Sequence, residues 1–301
     1  MKNALNYYYN LVPNDIHQNK NEYFFEYKGN NYIAQVCTLD IKEIEEIHKL
    51  TSYMANYNVF FHQIMFNIDN QLITEISGKP YIVMKKIQDY DKKVSIEDII
   101  EFSNYNVFDN YKLINKSNWR NLWIQRIDYI EYQVSETKNK FKVLSEYIDY
   151  FIGMTEIGIQ MLLEIQNIIS PLVVAHKRMG SKIKYSELYN PLNIIVDVRV
   201  RDSAEYFKME IFNGGYIVED IIYYFNNSNL SSDEIKLFFI RLLFPTPFYD
   251  LYDRIMREEI KEDILIKIVE NINHYEKEIK KIYKYLYDFN IVPEIGWLKK
   301  T

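Results

Sequence analysis

The first third of the chain reads as strands with a single helix. Glu22-Tyr23-Phe24-Phe25-Glu26-Tyr27 is aromatic and strand-like. Lys28-Gly29-Asn30-Asn31 supplies a turn, and Tyr32 to Cys37 reads as the return strand. Thr38 or Asp40 can cap a helix that places Ile41, Ile44, Ile47, Leu50 and Met54 on roughly one face. Strands are expected at Phe60 to Ile68 and Leu72 to Ile76, with Asp69-Asn70 turning between them. Gly78-Lys79-Pro80 makes another turn before the short apolar strand Tyr81 to Met84.

From about Ser95 the period becomes helical. Ser95-x-x-Asp98 caps one start, and Trp119, Leu122, Trp123, Ile127 and Ile130 follow the spacing of an amphipathic helix. A second long helix is expected over Leu144 to Ile165, across Gly153 and Gly158. Pro171 to His176 and Asn193 to Asp197 read as short buried strands or strand-like loops. Ser231-x-x-Glu234 is a capping box before an apolar helix that Pro245 and Pro247 end, and Ile264 to Leu286 reads as one long amphipathic helix. No internal repeat is evident. The order is that of an α+β, protein-kinase-like fold. It has a small antiparallel β-sheet lobe with one helix over residues 1–90 and a larger, mainly helical lobe over residues 91–301.

Composition narrows the classes. With 301 residues and 48% hydrophobic positions, a core can form without disulfides or metal. The net charge of −6 argues against a duplex nucleic-acid binder. A single cysteine, Cys37, excludes a disulfide framework and an all-cysteine zinc site. Residues Met1 to Tyr7 lack the apolar core of a secretory leader, and no run is long enough to span a membrane. Tyrosine is abundant, at 28, and the bias toward Lys, Asn, Ile and Tyr fits an AT-rich coding sequence. Glycine is scarce, at 8, and neither G-x-G-x-x-G nor a P-loop motif occurs. Backbone cradling of phosphates normally needs glycine where the chain approaches the ligand.

Four segments carry a family resemblance. Gly78 to Met84 looks like the strand leading into a kinase hinge, with Met84 near the hinge itself. Tyr150 to Gln160 resembles the long C-lobe helix of the YutH branch of kinase-like proteins. Ala175-His176-Lys177-Arg178, Val196-Asp197 and Arg201-Asp202-Ser203-Ala204-Glu205-Tyr206 together resemble that branch's degenerate catalytic region. Arg241-Leu242-Leu243-Phe244-Pro245 is similar to a run common in these coat proteins. The chain thus resembles the YutH and CotS-type spore coat proteins, a branch of the aminoglycoside-phosphotransferase-like superfamily, over roughly residues 20 to 256.

Phosphoryl transfer uses few parts, each electrostatic. The resemblance places the third-strand lysine position near Gln35, and no residue of Tyr32 to Cys37 is cationic. Glu43, Glu45 and Glu46 on the next helix are candidates for the lysine's former partner and also read as a solvated face. The phosphate-covering loop falls before Glu22, where Asn6 to Asn21 holds no glycine. Active relatives read His-Gly-Asp in the catalytic loop, whereas this chain reads His176-Lys177-Arg178. An arginine, with a pKa above about 12, is no general base. Asp197 lies 21 positions after His176, a spacing that suits the metal-binding aspartate, with Asn193 as a second oxygen or a turn residue. Arg199 and Arg201 put positive charge beside it, either replacing the metal or pairing with Asp197 and Asp202. The resemblance gives Asp202 a structural role, tethering the catalytic-loop backbone. It also reads as a first-turn acid of the following helix. Histidines 17, 48, 62, 176 and 274 show no metal-ligand spacing. Tyr223-Tyr224-Phe225 and tyrosines 283, 285 and 287 read as packing or as a contact surface.

The function implied is a kinase-like spore coat protein that is catalytically inactive, a pseudokinase, and acts in coat assembly by protein binding. The alternatives are an active ATP-dependent small-molecule phosphotransferase of the aminoglycoside or choline kinase type, and a nucleotide-sensing pseudokinase. No cofactor is expected, with ATP and Mg²⁺ only under the active alternative. Expected partners are other spore coat proteins, without nucleic acid, and the expected location is the spore coat or mother-cell cytoplasm.

Overall fold

The computed structural model describes residues 1–299 apart from 88–91, 109, 138–139, 166–169 and 181. The chain divides into two compact units. One comprises Met1–Lys93, Asp109–Asn115 and Ile183–Ile195, and the other Val94–Phe108, Lys116–Lys182 and Val196–Thr301.

The first unit is built on an antiparallel sheet. Its elements are α1 (Lys2–Tyr9), β1 (His17–Asn19), β2 (Glu22–Tyr27), β3 (Asn30–Val36), α2 (Ile41–Met54), β4 (Gln63–Ile64), β5 (Thr74–Ile76) and β6 (Lys79–Lys85). The sheet order is β1-β2-β3-β6-β4, with β5 also on β6. Tyr27 pairs with Asn30 across Lys28-Gly29, and Ile76 pairs with Lys79 across Ser77-Gly78. All four turn residues have positive φ, the requirement of a tight hairpin matching the strand twist. The second turn therefore sits earlier than Gly78-Lys79-Pro80, because proline's fixed negative φ cannot serve there and Pro80 joins the strand. Asp40, rather than Thr38, caps α2 and shares a capping box with Glu43.

Two expectations in this unit change. The strand over Phe60 to Ile68 shrinks to β4, because the buried Asn67 closes a loop. Its Oδ1 accepts from the backbone N–H groups of Asp69 and Gln71, and its Nδ2 donates to Thr74 Oγ1. The strand over Leu72 to Ile76 shortens to β5 for the same reason. The helix α1 was not foreseen. It buries Leu5 and Tyr9 against Phe25, Tyr32, Ala34 and Val83 of the sheet, and Tyr9 shares a hydrogen bond with Thr74 Oγ1 at 2.7 Å.

The second unit is mainly helical. It contains α3 (Ile96–Phe102), α4 (Trp119–Thr137), α5 (Lys142–Glu164) and β7 (Leu172–His176). The strand β8 (Ile194–Val198), which belongs to this unit from Val196 on, pairs with β7 in a separate two-stranded sheet. Then come α6 (Arg201–Phe212), α7 (Val218–Asn227), α8 (Ser232–Leu243), α9 (Thr246–Met256), α10 (Ile266–Val269), α11 (Ile272–Asp288) and α12 (Gly296–Lys299). The capping boxes of Ser95 with Asp98 and Ser231 with Glu234 both form. Pro247 opens α9, where its missing N–H costs nothing. The single helix expected over Ile264 to Leu286 is broken after Val269, where Asn271 Nδ2 donates to the carbonyls of Lys267 and Phe212. Gly158 lets α5 approach α4 closely, since a Cβ there would stand 3.0 Å from Trp123 Cζ3. Among the described residues, no helix is long and apolar enough to cross a membrane.

Phe151 of α5 is fully buried and stacks on Phe248 of α9 with ring centroids 3.9 Å apart. Phe151→Ala should cost about 3–5 kcal/mol of unfolding free energy, read from urea denaturation.

Candidate functional site

Apolar runs lead to the polar residues of β7 and β8. The residues preceding His176 on β7 and Asp197 on β8 are almost wholly buried, and so are these two polar residues themselves. Arg201 and Asp202 follow in the first turn of α6.

Asp202 accepts a hydrogen bond from the His176 backbone N–H at 3.0 Å, and its Oδ2 lies 2.6 Å from His176 Nδ1. Asp197 Oδ1 accepts from Trp119 Nε1 at 2.9 Å and from the Val198 backbone N–H at 2.8 Å. Its Oδ2 lies 2.9 Å from Arg201 Nε. Arg201 Nη1 is 3.2 Å from Asp202 Oδ1 and also donates to the His176 carbonyl. One turn along α6, Glu205 Oε1 takes Arg241 Nε at 2.6 Å, Lys208 Nζ at 2.9 Å and Thr246 Oγ1 at 3.0 Å. The Arg241 guanidinium also stands over the rings of Trp119, Trp123 and Phe244.

Three carboxylates (Asp197, Asp202, Glu205) and three cations (Arg201, Lys208, Arg241) are thus buried together. Burial pushes the Asp197 carboxyl up to about 7, against the pull of Arg201 and Arg241. Burial would raise Glu205 too, but Lys208 and Arg241 outweigh it and hold that carboxyl well below its usual range. Burial drives the Lys208 ammonium down to about 7, with Glu205 opposing.

The remaining candidates fall elsewhere. Arg178 is exposed, with Nη2 2.7 Å from Asp250 Oδ1. The Lys177 carbonyl accepts from Arg178 Nη1 and Arg201 Nη2. Arg199 turns to the Ser228 carbonyl at 2.9 Å and toward Glu234. In the first unit, Asn193 ends a short 3-10 helix, Pro191–Asn193. Gln35 sits in β3 between Glu22 and Ile82, and its Oε1 is buried with no hydrogen-bond partner. The turn between β1 and β2 is only Lys20-Asn21, with Lys20 at φ 55. Met84 is fully buried in β6, opposite Ile33 and Ile64. Of the three glutamates on α2, Glu43 closes the helix cap. Glu46 accepts from the backbone N–H groups of Lys112, Leu113 and Ile114. Glu45 lines an open groove with Phe66 and Leu72.

The residues at the position that the resemblance assigns to a metal do not fit Mg²⁺. That ion needs carboxylate oxygens open to it, whereas Asp197 Oδ1 accepts two hydrogen bonds and the Arg201 guanidinium stands 2.9 Å from Oδ2, as an ion pair in which Oδ2 accepts no hydrogen bond. Among the described residues, no group of three His, Cys, Asp or Glu could hold a metal ion.

Trp119, Glu205, Lys208, Thr246 and Arg241 were not foreseen as one cluster. The signal was present in part, since Glu205 and Arg241 lie in the two runs that carry the family resemblance, and these two side chains meet at 2.6 Å.

The architecture is that of the kinase-like phosphotransferases. An aminoglycoside phosphotransferase from Alicyclobacillus acidocaldarius matches with a TM-score of 0.60 at 11% identity, over 92% of this chain and 93% of that one. Spectinomycin phosphotransferase APH(9)-Ia, solved with ADP and spectinomycin, matches with a TM-score of 0.53 at 10% identity, over 97% and 98%. A microcompartment-associated aminopropanol kinase matches with a TM-score of 0.55 at 10% identity, over 97% and 98%. At such identities the likeness is one of fold, and it agrees with the α+β kinase-like class expected from the element order. The chain belongs to the spore coat family described as "Spore coat putative kinase YutH", whose profile matches residues 2–289. No curated protein matches the sequence significantly.

The buried ammonium gives a pH signature. Because Lys208 is held below its ordinary 10.5, the folded chain binds fewer protons than the unfolded chain above about pH 7, so stability rises with pH there. From about pH 7 to about pH 9, Lys208 should add up to about 1.4 kcal/mol per pH unit to the unfolding free energy. Lys208→Met should abolish that slope in urea titrations.

Proposed function

We propose that this protein transfers no phosphate and serves the spore coat as a binding component, a pseudokinase in coat assembly whose partners are other coat proteins. The observation that carries the reading is the engagement of Asp197. At the position the resemblance gives to the metal, Trp119 and Val198 occupy Oδ1, and the Arg201 guanidinium stands 2.9 Å from the otherwise unpartnered Oδ2, where a metal would bring its charge. Three further features support it. The loop after β7 carries Arg178, ion-paired to Asp250, where active relatives carry an aspartate. The third strand offers Gln35, a neutral amide, in place of a lysine. The turn between β1 and β2 has two residues and no glycine. A chain lacking a phosphate counter-charge, a metal carboxylate and an acceptor base retains none of the electrostatic parts on which this chemistry relies.

The purified chain should show no ATP turnover above the protein-free rate with Mg²⁺, with or without small alcohols and aminoglycosides. Its melting temperature should not move with Mg-ATP. Turnover that disappears in Asp197→Ala would overturn the reading. In dormant spores, a tagged copy should partition into the coat extract and co-purify with coat proteins after cross-linking. Recovery from the core fraction alone would refute the coat-binding role.

A further inference from the structure

Four oxygens converge on the Arg201 guanidinium. Asp197 Oδ2 lies 2.9 Å from Nε and Asp202 Oδ1 lies 3.2 Å from Nη1. The His176 carbonyl accepts from Nη1, and the Lys177 carbonyl accepts from Nη2 at 3.3 Å. Two carboxylates and two backbone carbonyls around one cation form the donor set of a hard divalent ion. The oxygens come from three separate places, namely the end of β8, the first turn of α6 and the residues closing and following β7. A guanidinium suits such a task, because its N–H groups form a fixed planar fork and it stays charged at any accessible pH.

We propose that Arg201 is a resident replacement for a divalent cation. The chain carries its own counter-ion on α6, and that ion holds the His176–Lys177 backbone to Asp197 and Asp202 without metal. Removing the guanidinium and leaving the oxygens uncovers a divalent-cation site. An ordinary ion pair makes no such prediction, because its loss lowers stability without creating affinity for metal. The proposal rests on the non-phosphorylating reading of Asp197. The two fail separately, since nucleotide turnover tests that reading and nucleotide-free metal binding tests this one.

The full chain, stripped with chelator, is titrated with Mn²⁺ and Ca²⁺, with binding read by Mn²⁺ paramagnetic resonance and stability by thermal melting. The wild-type chain should bind no Mn²⁺ saturably and melt identically with and without chelator. Arg201→Gln should melt lower and gain saturable one-to-one Mn²⁺ binding that raises its melting temperature. Adding Asp197→Asn to Arg201→Gln should remove that gain. Arg201→Lys, which keeps a cation in place, should stay indifferent to metal. One-to-one binding by the wild type overturns the proposal. So does a folded Arg201→Gln chain that ignores both ions, or an equal response in the Gln and Lys variants. Where Arg201→Gln needs refolding from denaturant, recovery should rise with Ca²⁺, and equal recovery with and without Ca²⁺ also overturns it.

Discussion

Charge neutrality within a dry interior is the constraint on which the helical unit depends. An isolated carboxylate or ammonium costs several kcal/mol to bury. Asp197, Asp202 and Glu205 are buried at the same place as Arg201, Lys208 and Arg241, so the formal charges cancel. The cost of each ion is offset by its neighbours, and no member can leave without stranding another. The cluster also joins elements remote in sequence. Arg241 brings α8 to Glu205 on α6, Trp119 brings α4 to Asp197, and Thr246 adds the start of α9. The aromatic rings beneath Arg241 give its guanidinium a favourable surface where water is excluded.

The β-rich unit also sets a charged side chain to work on the backbone. Glu46 on α2 gathers three consecutive backbone N–H groups of the segment 112–114, so its carboxylate acts as an anchor for a loop. Backbone amides in succession are a strong partner for an anion. Gln35 on β3 leaves a buried side-chain oxygen unsatisfied.

Much of the fold was legible because local chemistry dictated it. Asp40, Ser95 and Ser231 announce helix starts through a side chain that accepts a backbone N–H, and all three do so. Gly29 marks a hairpin because few other residues tolerate its φ. The errors arose where a side chain from elsewhere intervened. Asn67 closed a loop inside an apolar run that otherwise reads as a strand, and Asn271 drew off a carbonyl to break a helix that hydrophobic spacing alone makes continuous. The helix α1 has no capping side chain, spans only eight residues and buries only Leu5 and Tyr9, so little in its residues advertised it. At the site, His176, Asp197 and Asp202 were visible by spacing and resemblance. The contacts of Glu205 with Arg241 and of Asp197 with Trp119 span 36 and 78 residues. No pattern along one sequence records pairings at that distance.

The placement of the indoles has an optical consequence. Trp119, Trp123 and Trp297 are the chain's three tryptophans, and all belong to the helical unit. Trp119 and Trp123 lie stacked, and the Trp119 N–H is tied to Asp197. Tryptophan emission therefore arises from the helical unit alone. Circular dichroism, which sums over the whole backbone, takes in the β-rich unit as well.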